Sequence, residues 1–84
     1  MKYIVKDADG SIIVTKARFG NNPDALGRPR CLKFQLGGRF FNSPDAKPMI
    51  FKQCVRADVA RVVAERHLRE SFPGQSFNLK LKAI

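Results

Sequence analysis

The sequence predicts an α+β fold: one small domain over residues 1–84, with a twisted antiparallel sheet of about five to six strands and one long helix (about 55–71) packed on one face, in the order β-β-β-β-β-α-β. Three observations lead there. Short β-branched and aromatic runs alternate with Gly, Pro, Asn and Asp along the first two thirds of the chain. A single helical periodicity follows, and one alternating run closes the sequence.

The first run, "KYIVK", and the second, "SIIVTKARF", flank "DADG", so Asp9-Gly10 reads as a hairpin turn that sets Val5 against Val14 and Tyr3 against Lys16. Tyr3, Val5, Ile12, Val14 and Lys16 then share one face. A connection of about ten residues follows, within "RFGNNPDALGRPRCLK". "RCLKFQL" and "RFFN" form a second predicted hairpin around Gly37-Gly38, which pairs Phe34 with Phe41 and Gln35 with Phe40. Leu32, Phe34 and Leu36 face inward, while Phe40 falls on the polar face with Lys33. "NSPDAKP" is a further turn, and "MIFKQC" a short strand. The echo of "NPDA" in "SPDA" is turn chemistry used twice, with Pro presetting φ after a polar residue.

In "VRADVARVVAERHLRES", the period places Val59, Ala60, Val63, Ala64 and His67 on one stripe. The opposite side pairs Arg61 with Glu65, Glu65 with Arg69, and Arg66 with Glu70 at i,i+4. Pro73-Gly74 ends the helix, and "SFNLKLKAI" is a strand with Phe77, Leu79 and Leu81 inward and Lys80 and Lys82 outward.

Composition narrows function. Sixteen Lys and Arg against seven acids give a net charge of +9, which favours nucleic acid, a ribonucleoprotein or an acidic protein surface as partner. The helix holds four basic residues and three acids, so the excess lies on the strands and loops. A DNA-reading helix needs a one-sided basic stripe, which this helix lacks. Lys33, Lys80 and Lys82 point away from the helix, and Phe40 joins them as a stacking or apolar contact. Arg18, Arg28, Arg30 and Arg39 complete the candidate anion-binding set. Pro29 stiffens Arg28 and Arg30, so the long connection reads as an anion-contacting arm, with a solvated hairpin loop as the alternative.

The Gly-rich connection lacks the GxxxxGK spacing of a phosphate cradle, and a strand follows it instead of a helix. His67 is the only histidine; a small ribonuclease would use such a residue as general acid-base, but it lies on the apolar stripe without a nucleophile-base pair. The expected class is therefore a non-enzymatic binding protein. Cys31 and Cys54 lack CxxC spacing and are expected as reduced thiols, with a single disulfide as the alternative and with no metal and no cofactor.

No apolar run has the length of a membrane span or signal core, so a cytoplasmic protein without a membrane partner is expected. The alternative function is that of an inhibitor or adaptor of the kind encoded by phages and mobile elements, docked on an acidic or nucleic-acid-binding surface of a larger host complex. Val62, set within the charged helix face, is its candidate interface. Monomer and homodimer both fit the sequence.

Overall fold

The computed structural model describes residues 1–84. Strands β1 (Tyr3–Lys6), β2 (Ile13–Pro23) and β3 (Pro29–Gly37) precede a single 3-10 turn (Arg39–Phe41), helix α1 (Cys54–Ser71) and strand β4 (Lys80–Ala83). They form a small α+β domain with one helix and an antiparallel sheet of four strands, ordered β3-β2-β1-β4. The expected five to six strands reduce to four because two predicted runs pair differently.

Gly37-Gly38 is not a turn between strands. β3 pairs instead with β2, through Val14–Leu36, Ala17–Phe34 and Arg18–Lys33, and "RFFN" folds as the 3-10 turn. Gly38, at φ 113, brings the chain against the β1–β2 loop, where a Cβ would press on the Ser11 carbonyl oxygen. The "MIFKQC" run supplies only a bridge, Phe51 opposite Tyr3. It wedges between β1 and β2: the Met49 amide donates to the Val14 carbonyl at 2.7 Å, and Phe51 and Tyr3 exchange two hydrogen bonds at 2.8 Å.

The first hairpin keeps its predicted register only next to the turn, with Lys6 opposite Ile13. The expected Val5–Val14 and Tyr3–Lys16 pairs do not form, because the Met49–Phe51 run enters between the strands and Tyr3 faces Phe51 while Lys16 faces Gln35. The turn is wider than Asp9-Gly10 alone. The Asp7 carboxylate accepts the Ile12 N–H, and the Asp9 carboxylate accepts the Ser11 N–H, each at 2.9 Å. Both predicted Pro-Asp punctuation sites are turns: Gly27 N–H donates to Asp24, and Ala46 N–H to Ser43.

α1 matches its predicted span within one residue, but its inward stripe is rotated. Ala57, Ala60, Ala64 and Leu68 are buried; Val59 and Val63 lie half-buried on the flank, and His67 is exposed. Alanine along the contact line lets the helix approach Val5, Val14, Leu79 and Phe51 in one core. His67 stands edge-on to Phe34, at 6.4 Å between ring centroids.

Candidate nucleic-acid interface

The side of the sheet opposite α1 follows from the core residues. Leu79 and Leu81 pack toward the helix, so Lys80 and Lys82 point away. On β1, Lys6 stands opposite Lys80 and Ile4 opposite Lys82, which puts them on the same outer face. On β2 and β3, Val14, Ala17 and Phe34 pack inward, so Lys16, Arg18 and Lys33 point out. Each of the four strands thus sends at least one cation to one face. None of these six residues takes part in an ion pair; the three ion pairs of the molecule are Arg39–Asp9, Arg61–Asp58 and Arg61–Glu65.

Lys6 and Lys16 were not singled out by sequence. The alternation in "SIIVTKARF" puts Lys16 beside Val14, but the pairing steps from Val14–Leu36 to Lys16–Gln35, leaving Thr15 as an extra residue. This β-bulge turns Lys16 outward and Ala17 inward. A second bulge, between Arg18–Lys33 and Phe19–Cys31, makes Leu32 the extra residue. Leu32 therefore leaves the predicted apolar stripe and is 63% exposed, lying against Gly20. Bulges leave no composition signal in this chain; two adjacent register choices look equally alternating until the partner strand is known.

The outer face is not bare. Ile4 and Ile13 are buried outside the main core cluster, and Ala46 folds against Gly37, where an added Cβ would meet it at 2.8 Å. Ile50, between the inward Met49 and Phe51, is half-exposed on this side. The face is thus a small isoleucine centre flanked by Lys6, Lys80 and Lys82 on one side and Lys16, Arg18 and Lys33 on the other.

Phe40 is elsewhere. The 3-10 turn carries it into an aromatic cluster with Phe41, Phe72 and Phe77, at centroid distances of 5.0, 5.1 and 5.8 Å. Its predicted pairing with Gln35 depended on the absent Gly-Gly turn. Arg39 also departs from the lysine face: it donates to the Asp9 carbonyl at 2.8 Å and pairs with the Asp9 carboxylate at 3.7 Å. The Ser11 backbone N–H and then the Ser11 side chain hold Asp9 below the usual carboxylate range, with Arg39 contributing less.

The long basic connection is a structured arm. β2 and β3 continue to a Pro23–Pro29 pair, and only Asp24 to Arg28 form the tip. The Asp24 carboxylate accepts the N–H groups of Leu26 and Arg28 at 2.9 and 2.8 Å, and Gly27 takes the left-handed conformation at φ 77. The single acid of the stretch thus closes the tip and forms no ion pair with Arg28 or Arg30, both exposed. Arg30 lies beside Leu32 near Gly20.

The helix accounts for its charge differently. Arg61 donates to Asp58 at 2.9 Å and to Glu65 at 3.2 Å, whereas the expected Glu65–Arg69 and Arg66–Glu70 pairs do not form. Val62 is half-buried and lines a groove between α1 and the arm. Cys31 and Cys54 are free thiols. No group of three or more metal-ligating side chains occurs, and no helix is long and apolar enough to cross a membrane. No family model matches this chain, and neither the curated proteins nor the solved structures compared with it give a match.

Proposed function

We propose that the protein is a non-catalytic nucleic-acid binder that tracks the phosphate backbone, alone or within a ribonucleoprotein, with the outer face of its sheet. The observation that supports this reading is the set of six unpaired cations, Lys6, Lys16, Arg18, Lys33, Lys80 and Lys82, on one face and across all four strands. Strand cations can only lie on this face, since the other is the core. What favours a partner over dispersal is that none of the six is paired with an acid, and acids serve dispersal better. Arg30 at the arm extends the cationic surface. With Phe40 drawn into the aromatic cluster, Ile50 takes over the apolar contact expected of that ring, and base stacking is not required. Contacts of this kind position a protein on nucleic acid without reading sequence.

The test is fluorescence anisotropy against labelled single- and double-stranded DNA and RNA over a salt series. If six phosphates are neutralised, log affinity falls against log salt with a slope of about −4 to −5. Combined Lys6→Ala, Lys80→Ala and Lys82→Ala flattens that slope by about 2 to 3. Binding that vanishes at physiological salt, or a slope indifferent to these substitutions, sinks the reading.

A further inference from the structure

We propose that the groove between α1 and the β2–β3 arm is a second binding site, which docks an extended acidic segment of a partner protein. Its apolar side chains rest on a valine floor and its carboxylates on an arginine rim. The groove has a volume of about 360 Å³ and is bordered by Val59, Val62 and Val63 from the helix, Arg28 and Arg30 from the arm, and Arg66. It joins two features that the sequence kept apart, the Arg28-Pro29-Arg30 element and the valine within the charged helix face.

The charge of this groove is positive on balance, with Arg28, Arg30 and Arg66 against Asp24 and an Asp58 that is paired with Arg61. Asp24 and Asp58 both border it. The Asp24 carboxylate already accepts two N–H groups of its own tip, and Asp58 accepts the Arg61 guanidinium at 2.9 and 3.1 Å. Arg28, Arg30 and Arg66 enter no ion pair. Planar guanidinium groups take carboxylates through paired N–H donors, a geometry that lysines do not offer.

The floor is three half-buried valines, suited to leucine-sized side chains, which a peptide carries and a nucleic acid does not. β3 is an outer strand of the sheet, so no other strand pairs with its outer backbone edge, and an extended segment can add to it. The site lies on the helix side of the sheet and stands whether or not the outer face binds nucleic acid. If both hold, the protein bridges a nucleic acid and an acidic protein segment.

The experiment uses the full chain, isotope-labelled for amide NMR, with three fluorescent probes: a short peptide alternating Asp and Leu, an oligoglutamate of equal charge, and oligo-dT. The alternating peptide is expected to bind most tightly and to shift the amides of Val59, Val62 and Arg66. Val62→Asp and Arg66→Glu each weaken it by about tenfold or more and leave oligo-dT affinity within about twofold. Arg66 is exposed, so its variant keeps the test valid should Val62→Asp fail to fold. Equal binding by oligoglutamate would reduce the effect to bulk charge and overturn the proposal. It is also overturned if the peptide shifts only sheet-face residues, does not bind at low salt, or is displaced from the groove by oligo-dT.

Discussion

The solvent side of α1 and the outer face of the sheet both carry several basic residues, yet they are arranged differently. On the helix, Arg61 is clamped between Asp58 and Glu65, and the same Glu65 carboxylate accepts the Leu79 N–H at 3.2 Å, tying the helix to the residue that leads into β4. Arg56 stands over the Phe19 ring at 5.5 Å. On the sheet face, no acid pairs with any of the six cations. Part of the helix charge therefore holds the fold together, while the sheet charge has no internal partner. Unpaired like charges repel one another, so the arrangement carries a cost in the free protein that an anionic partner would relieve.

The largest break in this comparison removes what seats the helix. Leu68 is fully buried where α1 meets the core. Leu68→Ala is expected to cost about 2 to 5 kcal/mol, a large part of the roughly 5 to 15 kcal/mol typical of a domain. Urea unfolding will show it as a lower midpoint at similar slope. A smaller step separates two glycines with positive φ. At Gly38, φ is 113 and a Cβ would press on the Ser11 carbonyl oxygen, so Gly38→Ala must displace backbone as well as accept strain of about 1 to 3 kcal/mol. Gly27, at φ 77, has open space around it, and Gly27→Ala is expected to cost only about 1 to 2 kcal/mol. Equal losses at the two sites would show that the Ser11 contact does not constrain the fold.

Smaller again, and aimed at the comparison itself, is a pair of charge removals. Arg61→Ala breaks two ion pairs on a partly exposed side chain, so its stability loss should stay near 0.5 to 1 kcal/mol, roughly, with an unchanged salt slope for nucleic acid. Lys80→Ala with Lys82→Ala should do the reverse: stability within about 0.5 kcal/mol, and a salt slope flatter by about 2. Should Arg61→Ala flatten the slope as well, the division between structural and free charge would fail.

Local patterns exposed the helix span, the turn end of the first hairpin, the Pro-Asp turns and the outward Lys33, Lys80 and Lys82. The Val5–Val14 and Tyr3–Lys16 pairs expected further along that hairpin gave way to the distant Phe51 and Gln35. What escaped depends on partners distant in sequence. Gly37-Gly38 has the composition of a hairpin turn, and only the pairing of β3 with β2 shows that the chain instead passes close to Ser11. That one choice moved Phe40 from the lysine face to the aromatic cluster. Helical period alone did not separate the valine flank from the alanine line, because both recur every three to four residues and the closeness of the sheet selects the smaller side chains. The bulges at Thr15 and Leu32 decided which faces Lys16 and Leu32 occupy.

The smallest expected effect compares the two thiols and reports on the groove. Cys54 is exposed in the first turn of α1. Cys31 is half-buried and borders the groove, and burial pushes its thiol above the ordinary value, outweighing hydrogen bonds that favour the thiolate. A raised value keeps Cys31 protonated where an ordinary thiol has begun to ionise, and the thiolate is the nucleophile. A thiol-specific disulfide reagent should therefore modify Cys54 first, and Cys31 should gain on it only as the pH rises. Saturating the protein with the acidic peptide should slow Cys31 further while leaving Cys54 unchanged, since only Cys31 lies under the proposed segment. Oligo-dT, held on the other side of the sheet, should slow neither. If oligo-dT protected Cys31 and the peptide did not, the groove and the cationic face would be one continuous nucleic-acid surface wrapped around the edge of β3.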